Sequence, residues 1–171
     1  MIDRDPMHLH PLVREAVEKT IAACGKAGHS FRLFEGFRSE ARQEQLYALG
    51  RTVTGRIVTY ARGGASMHQY GLAADIVGWV DGWTWEMPEA AWAHLHAFGK
   101  TYGLQPLQFE KPHLQWVWPL AAAQAGHYPD QGDQSWRDAV RPGPKVVAVA
   151  PKPEMLSAAD KLNQEQLDRA G

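Results

Sequence analysis

Residues 66–75 read SMHQYGLAAD and join a glycine-rich stretch to an apolar run. Gly71 permits a tight backbone turn, and Ala73–Val80 has the length and composition of a buried strand. Asp75 lies inside that strand, where a carboxylate is costly unless a cation or hydrogen bonds compensate it. His68 precedes it by seven residues, at the end of the loop. The segment therefore combines an imidazole with a carboxylate that needs a compensating partner.

Apolar spacing and turn residues predict helices and strands on both sides of this segment. The predicted helices are Leu12–Ala27 with Gly28 as its stop, Glu40–Leu49 with Ser39 as its N-cap, and a helix from Pro88 to about Tyr102. The other predicted strands are Phe31–Phe37 and two short strands near Leu107 and Leu114. Because helices and strands do not alternate as regular βαβ units, we expect an α+β fold rather than a doubly wound sheet.

Length and charge limit the class of protein. The chain has 171 residues, the size of one ordinary domain. Its 18 Lys and Arg residues nearly balance 19 Asp and Glu residues, so the net charge of −1 argues against a broad electrostatic interaction with nucleic acid or an anionic membrane. Hydrophobic residues make up 44% of the chain, enough for a packed core. No apolar run approaches the roughly 20 residues that span a bilayer, so we expect no integral membrane segment.

The cysteine content and the first residues of the chain indicate in which cellular compartment the protein is made. Cys24 is the only cysteine, so no disulfide can form within the chain and no thiolate metal cluster is available. The opening residues, MIDRDPMHLHP, lack the basic start and apolar stretch of a secretory signal. We therefore expect a soluble protein that is made in the cytoplasm without a signal peptide.

The composition of the chain changes near residue 119. Apolar segments alternate with turn signals before it, whereas Pro, Gly, Gln, Asp and Ala dominate after it. We place the working domain at residues 1–120 and interpret residues 121–171 as a C-terminal wrap or tail. Within the tail, Pro142–Pro153 has the composition of a linker or edge segment, and Ser157 is a candidate cap for a short helix to Leu167.

A second motif supplies another imidazole. Glu110-Lys111-Pro112-His113 precedes the apolar stretch Leu114–Trp118. Together, His68, Asp75 and His113 offer two imidazoles and one carboxylate, a ligand set that zinc accepts with a fourth position left for water. Zinc lowers the pKa of such a water toward neutrality, so the three residues are candidate ligands of a hydrolytic zinc ion. Mixed imidazole and carboxylate ligands also accept other divalent ions.

Two charged residues complete the groups that amide hydrolysis requires. Glu110 is close to His113 in the sequence and is a candidate general base, which moves a proton from water to the leaving amine. Arg38, in Gly36-Phe37-Arg38-Ser39, stands between a predicted strand and a capped helix. Its permanent positive charge makes it a candidate for stabilising the negative tetrahedral intermediate.

Each of these patterns taken alone also has a structural interpretation. A histidine followed by an aspartate, a Glu-x-x-His sequence and a single arginine all occur in turns, ion pairs and solvated surfaces. We assign no role to the remaining histidines, which are His8, His10, His29, His94, His96 and His127. The tryptophans Trp79, Trp83 and Trp85 cluster around a predicted turn, and they either belong to the core or form the wall of a groove.

Taken together, the motifs resemble those of a known family. The pattern Ser66-x-His68-x-x-Gly71-x-Ala73-x-Asp75, followed by Glu110-x-x-His113, is similar to that of the zinc-dependent cell-wall peptidases of the D-alanyl-D-alanine carboxypeptidase type. This family includes VanY-like and VanX-like enzymes and the L-alanyl-D-glutamate endopeptidases of phage lysins and some bacteria. The resemblance covers about residues 30–118. It implies a single domain with a small central antiparallel sheet flanked by helices, in agreement with the α+β prediction.

Carried over by position, the resemblance implies a role for each motif residue. The ligands of one zinc ion would be His68, Asp75 and His113. The catalytic residues would be Glu110, as the base, and Arg38, which would contact the substrate carbonyl or the transition state. The substrate side would include Ser66, as a hydrogen-bonding residue, and Gln43, for which an exposed helix residue is the alternative.

Pro112 before His113 resembles the endopeptidase and lysin branch of the family, although that branch often has Asp where this chain has Glu110. The resemblance therefore implies an L-alanyl-D-glutamate endopeptidase that acts on peptidoglycan stem peptides, and we expect it to be a monomer. One alternative is D-alanyl-D-alanine carboxypeptidase or dipeptidase activity. Another is a non-catalytic zinc module that binds wall fragments on the same fold, as in the hedgehog signalling domain. Without a signal peptide, the enzyme would be a phage lysin that reaches the wall through a pore, or a leaderless bacterial enzyme.

Overall fold

The structure is a computed structural model that describes residues 1–129 and 135–140. The helices are α1 (Pro11–Lys26), α2 (Glu40–Ala48), α3 (Glu89–Thr101), α4 (Leu120–Gln124) and α5 (Ser135–Val140). The strands are β1 (Phe31–Glu35), β2 (Ala73–Trp79), β3 (Trp83–Thr84), β4 (Leu104–Leu107) and β5 (Glu110–Trp116), and 3₁₀ turns cover Pro6–His8 and Met67–Tyr70. None of the helices in the described ranges combines the length and apolarity needed to cross a membrane.

The strands form one antiparallel sheet in the order β1-β2-β5-β4, and β3 pairs with the end of β2. Helices α1 and α3 cover one face of this sheet. Phe31 meets Trp92 of α3 with ring centroids 5.3 Å apart. Gly99 of α3 lies so close to Leu114 that an added Cβ would come within 3.0 Å of its Cδ1. The α+β class and the antiparallel sheet flanked by helices are confirmed.

The structure differs from the sequence prediction mainly at the ends of elements. Strand β1 stops at Glu35 because the N–H of Gly36 donates to the Asp3 carbonyl oxygen (2.8 Å) instead of to a neighbouring strand. The predicted loop before His68 ends in the 3₁₀ turn Met67–Tyr70, and β3, which was not predicted, forms after the expected turn. Both additions are shorter than a sequence pattern can specify.

Part of the predicted tail packs against the domain. Tyr128 and Trp136 are buried, with ring centroids 5.2 Å apart. Trp136 lies against Gly71, whose φ of +66° suits glycine and where an added Cβ would come within 2.6 Å of the indole. The predicted linker and helix, Pro142–Pro153 and Ser157–Leu167, lie outside the described residues.

His10 connects the start of α1 to this C-terminal segment. Its Nδ1 accepts a hydrogen bond from the N–H of Leu12 (3.3 Å), so its Nε2 carries the proton and donates to the Pro129 carbonyl oxygen (3.2 Å). The ring also stacks on Tyr128 and meets Trp136 edge to face. Because the side chain is buried, desolvation lowers the pKa of His10 to about 4.

We expect mild acid to destabilise the fold through His10. The ordinary pKa of the group is 6.5, so the buried neutral form stabilises the fold above that pH, and this contribution is lost as the pH falls toward 4. The full effect is about 3 kcal/mol, since one pKa unit corresponds to about 1.4 kcal/mol. Urea unfolding at neutral pH and near pH 5 should show a weaker pH dependence for His10→Asn than for the wild type and His127→Asn. Identical pH dependence in all three proteins would contradict this role.

Candidate metal centre

The sheet brings three polar side chains to the face opposite α1 and α3. Asp75 lies in the central strand β2, directly opposite Glu35 of β1 on one side and His113 of β5 on the other. Residues directly opposed in antiparallel strands point to the same face. Their neighbours Ala74 and Leu114 are also directly opposed and point to the helix-covered face. The register thus places a carboxylate and an imidazole side by side on a buried surface.

His68 completes the group from the 3₁₀ turn before β2. Its Nε2 lies 3.2 Å from Nδ1 of His113 and 3.3 Å from Oδ1 of Asp75. The same Oδ1 lies 3.3 Å from Nδ1 of His113. The side chains of His68 and His113 are more than nine-tenths buried, and that of Asp75 is 11% exposed. The predicted ligands therefore form a nearly equilateral triangle of donor atoms.

Hydrogen bonds behind the imidazoles fix their tautomers. Nδ1 of His68 lies 2.7 Å from the Gly36 carbonyl oxygen and must donate to it, which leaves a lone pair on Nε2. Nε2 of His113 lies 3.0 Å from Oε1 of Gln115, so a proton there leaves a lone pair on Nδ1. Such partners orient metal-binding histidines and raise their basicity. Both of these nitrogens lie 3.3 Å from Oδ1 of the third donor, Asp75.

The donor set fits a divalent cation. Oδ1 of Asp75 is buried without a hydrogen-bond partner in the described part of the chain, an arrangement that is costly unless an ion completes it. Tetrahedral zinc with bonds of about 2.0–2.1 Å keeps its donor atoms about 3.3 Å apart. The observed separations of 3.2–3.3 Å match that spacing. The residues present therefore suit zinc in number, chemistry and spacing.

The charges of the group also favour a cation. Burial alone would raise the pKa of Asp75, but the imidazoles of His68 and His113 outweigh burial and hold this pKa well below its usual range. Burial likewise acts to lower the pKa of His113. The negative charge of Asp75 and, to a smaller extent, that of Glu110 outweigh burial, so the pKa of His113 is raised. Asp75 is consequently ionised at neutral pH and attracts a positive charge, which a metal ion can provide in place of a proton.

Arg38 lies behind Asp75 in a buried ion-pair network. Its Nη2 is 2.6 Å from Oδ2 of Asp75 and 2.7 Å from Oε2 of Glu35, and its Nε also donates to Glu35 (2.8 Å). Its Nη1 donates to Oε1 of Gln43 (3.2 Å). The guanidinium is 8% exposed, and one of its buried partners is the carboxylate that carries the third donor atom. Arg38 thereby fixes which oxygen of Asp75 faces the two histidines.

Gln43 and Ser66, predicted on the substrate side, both have partners within the protein. Gln43 is buried, and its Nε2 donates to the Ala61 carbonyl oxygen (2.7 Å) and to Oγ1 of Thr59 (3.2 Å). It therefore connects the loop after α2 to Arg38, and it is not the exposed helix residue of the alternative. Ser66 opens the 3₁₀ turn that carries His68, and its N–H donates to Oε1 of Gln69 (3.0 Å). Direct substrate contact by either residue stays a prediction.

Glu110 lies in an irregular part of β5, close enough to His113 for its charge to act on the imidazole. In a regular strand, residues 110 and 113 would point to opposite faces. Here Leu107 pairs with Glu110 while Pro106 pairs with Leu114, so extra residues of β5 bulge between these pairs. Glu110 is partly exposed, and its charge contributes to the raised pKa of His113. The candidate base therefore lies at the accessible edge of a buried donor group.

Two members of the site were missed from the sequence. Glu35 is 2% exposed, although the alternating pattern of Phe31–Phe37 suggested only a half-buried strand. A bulge between Leu33 and Glu35 turns this carboxylate toward Asp75. Gln115 gave no sequence signal except its place two residues after His113, the spacing at which side chains share one face of a strand.

We expect Gln115 to tune metal affinity through the ring of His113. Gln115→Ala removes the acceptor of the Nε2 proton, and loss of such a partner typically weakens metal binding about 10- to 100-fold. Competition with a fluorescent zinc chelator measures this change directly. Gln105→Ala is the matched control because Gln105 is the exposed register partner of Gln115 on β4. Equal zinc affinities for the two variants would contradict the role of Gln115.

The fold and the donor group define a small α+β protein with a metal-binding centre. Over residues 6–117 the chain matches the family model VanY, D-alanyl-D-alanine carboxypeptidase, and it belongs to that family. The family resemblance inferred from the motifs around His68 and His113 is confirmed.

Individual relatives share parts of the chain. Peptidoglycan L-alanyl-D-glutamate endopeptidase CwlK of Bacillus subtilis (strain 168) is 50% identical over 70 residues, which is 41% of this chain and 42% of that protein. The match thus spans less than half of this relative. The L,D-carboxypeptidase DacB from Streptococcus pneumoniae is 28% identical with a TM-score of 0.50, over 69% of this chain and 72% of that one. The LdcB LD-carboxypeptidase shares the fold, with 24% identity and a TM-score of 0.51 over 68% of this chain and 62% of that one.

Proposed function

We propose that this protein is a zinc peptidase that hydrolyses an amide bond of peptidoglycan stem peptides. The observation that carries the proposal is the convergence of His68, Asp75 and His113 in one buried donor group. The charge of the partly exposed Glu110 acts on His113 and supports its assignment as the base. Membership of the VanY family supports the reaction class, and the similarity to an endopeptidase that is named for peptidoglycan supports the substrate.

Each residue of the centre then has a distinct task. His68, Asp75 and His113 hold the ion, which when bound polarises a carbonyl oxygen and makes water nucleophilic at neutral pH. Glu110 accepts a proton from the attacking water and returns it to the leaving amine. Arg38 holds Asp75 in place, and Gln43 takes only one of the two N–H groups on its Nη1. We assign the second N–H of Nη1 as the donor of a hydrogen bond to the substrate carbonyl oxygen.

The bond we assign is the one between L-alanine and D-glutamate. Pro112 before His113 is typical of the endopeptidase branch, and 50% identity to CwlK over 70 residues supports the same branch. The second candidate is D-alanyl-D-alanine carboxypeptidase activity, which the family description favours. A monomeric state is part of the proposal and is checked by analytical ultracentrifugation.

Mass spectrometry of digested peptidoglycan tests the proposal, with the zinc content measured on the same preparation. An endopeptidase leaves L-alanine on the sugar and releases peptides with a new D-glutamate amino terminus, whereas a carboxypeptidase releases single D-alanine. We expect the first pattern, about one zinc per chain, and loss of activity after chelation that zinc restores. Zinc-loaded protein that binds wall fragments without any cleavage product would instead indicate a non-catalytic module.

A further inference from the structure

The face of the sheet that carries the metal centre continues into a cluster of aromatic and arginine side chains. Asp75, Val77 and Trp79 alternate along β2 and therefore share this face. Arg32 is the register partner of Val77, and Trp83 is the register partner of Trp79, so both point the same way. Arg4 and Phe34 contact Trp83 of this row, and Trp85 in turn contacts Phe34. We call Arg4, Arg32, Phe34, Trp79, Trp83 and Trp85 the aromatic ledge.

The rings of the aromatic ledge hold one another in place. Trp83 meets both Trp79 and Phe34 edge to face with centroids 5.1 Å apart, and Phe34 meets Trp85 in the same way. Trp85 is 52% exposed, although a large indole of this kind is normally covered. The ledge therefore presents a rigid aromatic surface to solvent, with Trp85 as its most accessible ring.

Among the residues that the structure describes, the two arginines of the ledge have aromatic partners but no acidic ones. The guanidinium of Arg32 lies 4.0 Å from the ring centroid of Trp79, and that of Arg4 lies 5.1 Å from the centroids of both Phe34 and Trp83. Within the described ranges, neither guanidinium forms an ion pair with a carboxylate. In a chain of net charge −1, these are cations held in position without neutralisation, so the surface suits a partner rich in oxygen acceptors and negative charge.

We propose that the aromatic ledge binds the muramic acid sugar to which the cleaved stem peptide is attached. This inference rests on the proposed function and names the part of the substrate that this surface recognises. A pyranose ring offers apolar C–H faces that stack on an indole, and its hydroxyl, acetamido and lactyl oxygens accept hydrogen bonds from guanidinium groups. The negative charge of the stem-peptide carboxylates adds to the attraction for Arg4 and Arg32.

The distances along the sheet agree with this assignment. Trp79 follows Asp75 by four strand residues, or about 13 Å at 3.3 Å per residue. In an L-alanyl-D-glutamate bond, only L-alanine and the lactyl group separate the cleaved carbonyl from the sugar, a span of about 7 Å when extended. The sugar ring then covers the remaining distance. In a D-alanyl-D-alanine bond, the sugar lies several residues further away, so a sugar site at this distance favours the endopeptidase assignment.

Cleavage of two matched substrates tests the sugar site. One is the peptide L-Ala-γ-D-Glu-L-Lys carried on N-acetylmuramic acid, and the other is the same peptide with a simple acetyl group in place of the sugar. We expect the wild type to cleave the muramoyl peptide with about tenfold higher kcat/KM, and Trp85→Ala to remove this advantage while leaving the acetyl peptide unchanged. Trp85→Phe should keep most of the advantage. Tyr60→Ala, which removes an exposed aromatic ring elsewhere (77% exposed), should keep all of it.

Other results would overturn the sugar site. If Trp85→Ala leaves kcat/KM unchanged on both substrates, or lowers it equally on both, the aromatic ledge has no part in sugar recognition. If the wild type cleaves neither peptide, the proposed function fails, and the ledge is then tested by binding alone. Saturation-transfer NMR on the disaccharide of N-acetylglucosamine and N-acetylmuramic acid should give a sugar signal with the wild type that Trp85→Ala loses. No signal with the wild type would refute the site independently of catalysis.

Discussion

Glu110→Gln is expected to lower kcat on stem peptides by about 1,000-fold, within the range that general acid–base catalysis contributes. The amide is nearly isosteric with the carboxylate but cannot accept the proton of the attacking water. Because the donor group is formed by other side chains, the zinc content of the variant should stay at the wild-type level. Product formation followed by mass spectrometry, together with elemental analysis, separates loss of the base from loss of the metal.

A matched carboxylate controls for the change of charge. Glu18 is an exposed residue of α1 on the far side of the sheet from the metal centre, and Glu18→Gln should retain full activity. Glu110→Asp should retain part of the activity, since it keeps the proton acceptor but moves it by about one bond length. Full activity of Glu110→Gln would exclude Glu110 as the base.

Arg38→Met is expected to destabilise the metal-free protein by about 3–5 kcal/mol, the usual result of removing one partner from a buried charge network. Glu35 and Asp75 are both almost fully buried, and without the guanidinium two carboxylates are left facing each other. Urea unfolding in the presence of a chelator measures the loss. Added zinc should recover part of it, because a cation bound to Asp75 compensates one of the two charges.

Arg42→Met is the comparison for this variant. Arg42 also contacts Glu35, through its Nε at 3.3 Å, but its side chain is 22% exposed. Its removal should therefore cost about 1 kcal/mol or less. A similar small loss for Arg38→Met would mean that the buried carboxylates are protonated or hydrated rather than paired.

The elements and the three donor residues could be predicted because their signals are local. Asp75 inside an apolar run needs a partner, and periodicity and capping residues define the helices around it. The irregular pairing near Glu35 and Glu110 could not be predicted. Each bulge depends on how a strand fits its neighbour across the sheet, and a one-residue shift in that fit reverses the face to which a side chain points.

The environment of Arg38 shows a second reason why the sequence could not predict part of the site. Its motif correctly predicted a position between β1 and α2. The sequence suggested a cation that stabilises the transition state, which stays a prediction. It did not indicate that the guanidinium also lies between Glu35 and Asp75. Glu35 has no distinguishing mark in the sequence, so the tertiary ion pair was not visible before the sheet was assembled.

The contact between Trp136 and Gly71 has a practical consequence for protein engineering. The family match ends at residue 117, which invites a shortened chain for crystallisation or for fusion to other binding domains. Removing Trp136 would uncover the backbone of Gly71, three residues after His68, and would open a cavity beside His10. A shortened domain should therefore retain residues up to at least 140, well past the limit set by sequence similarity.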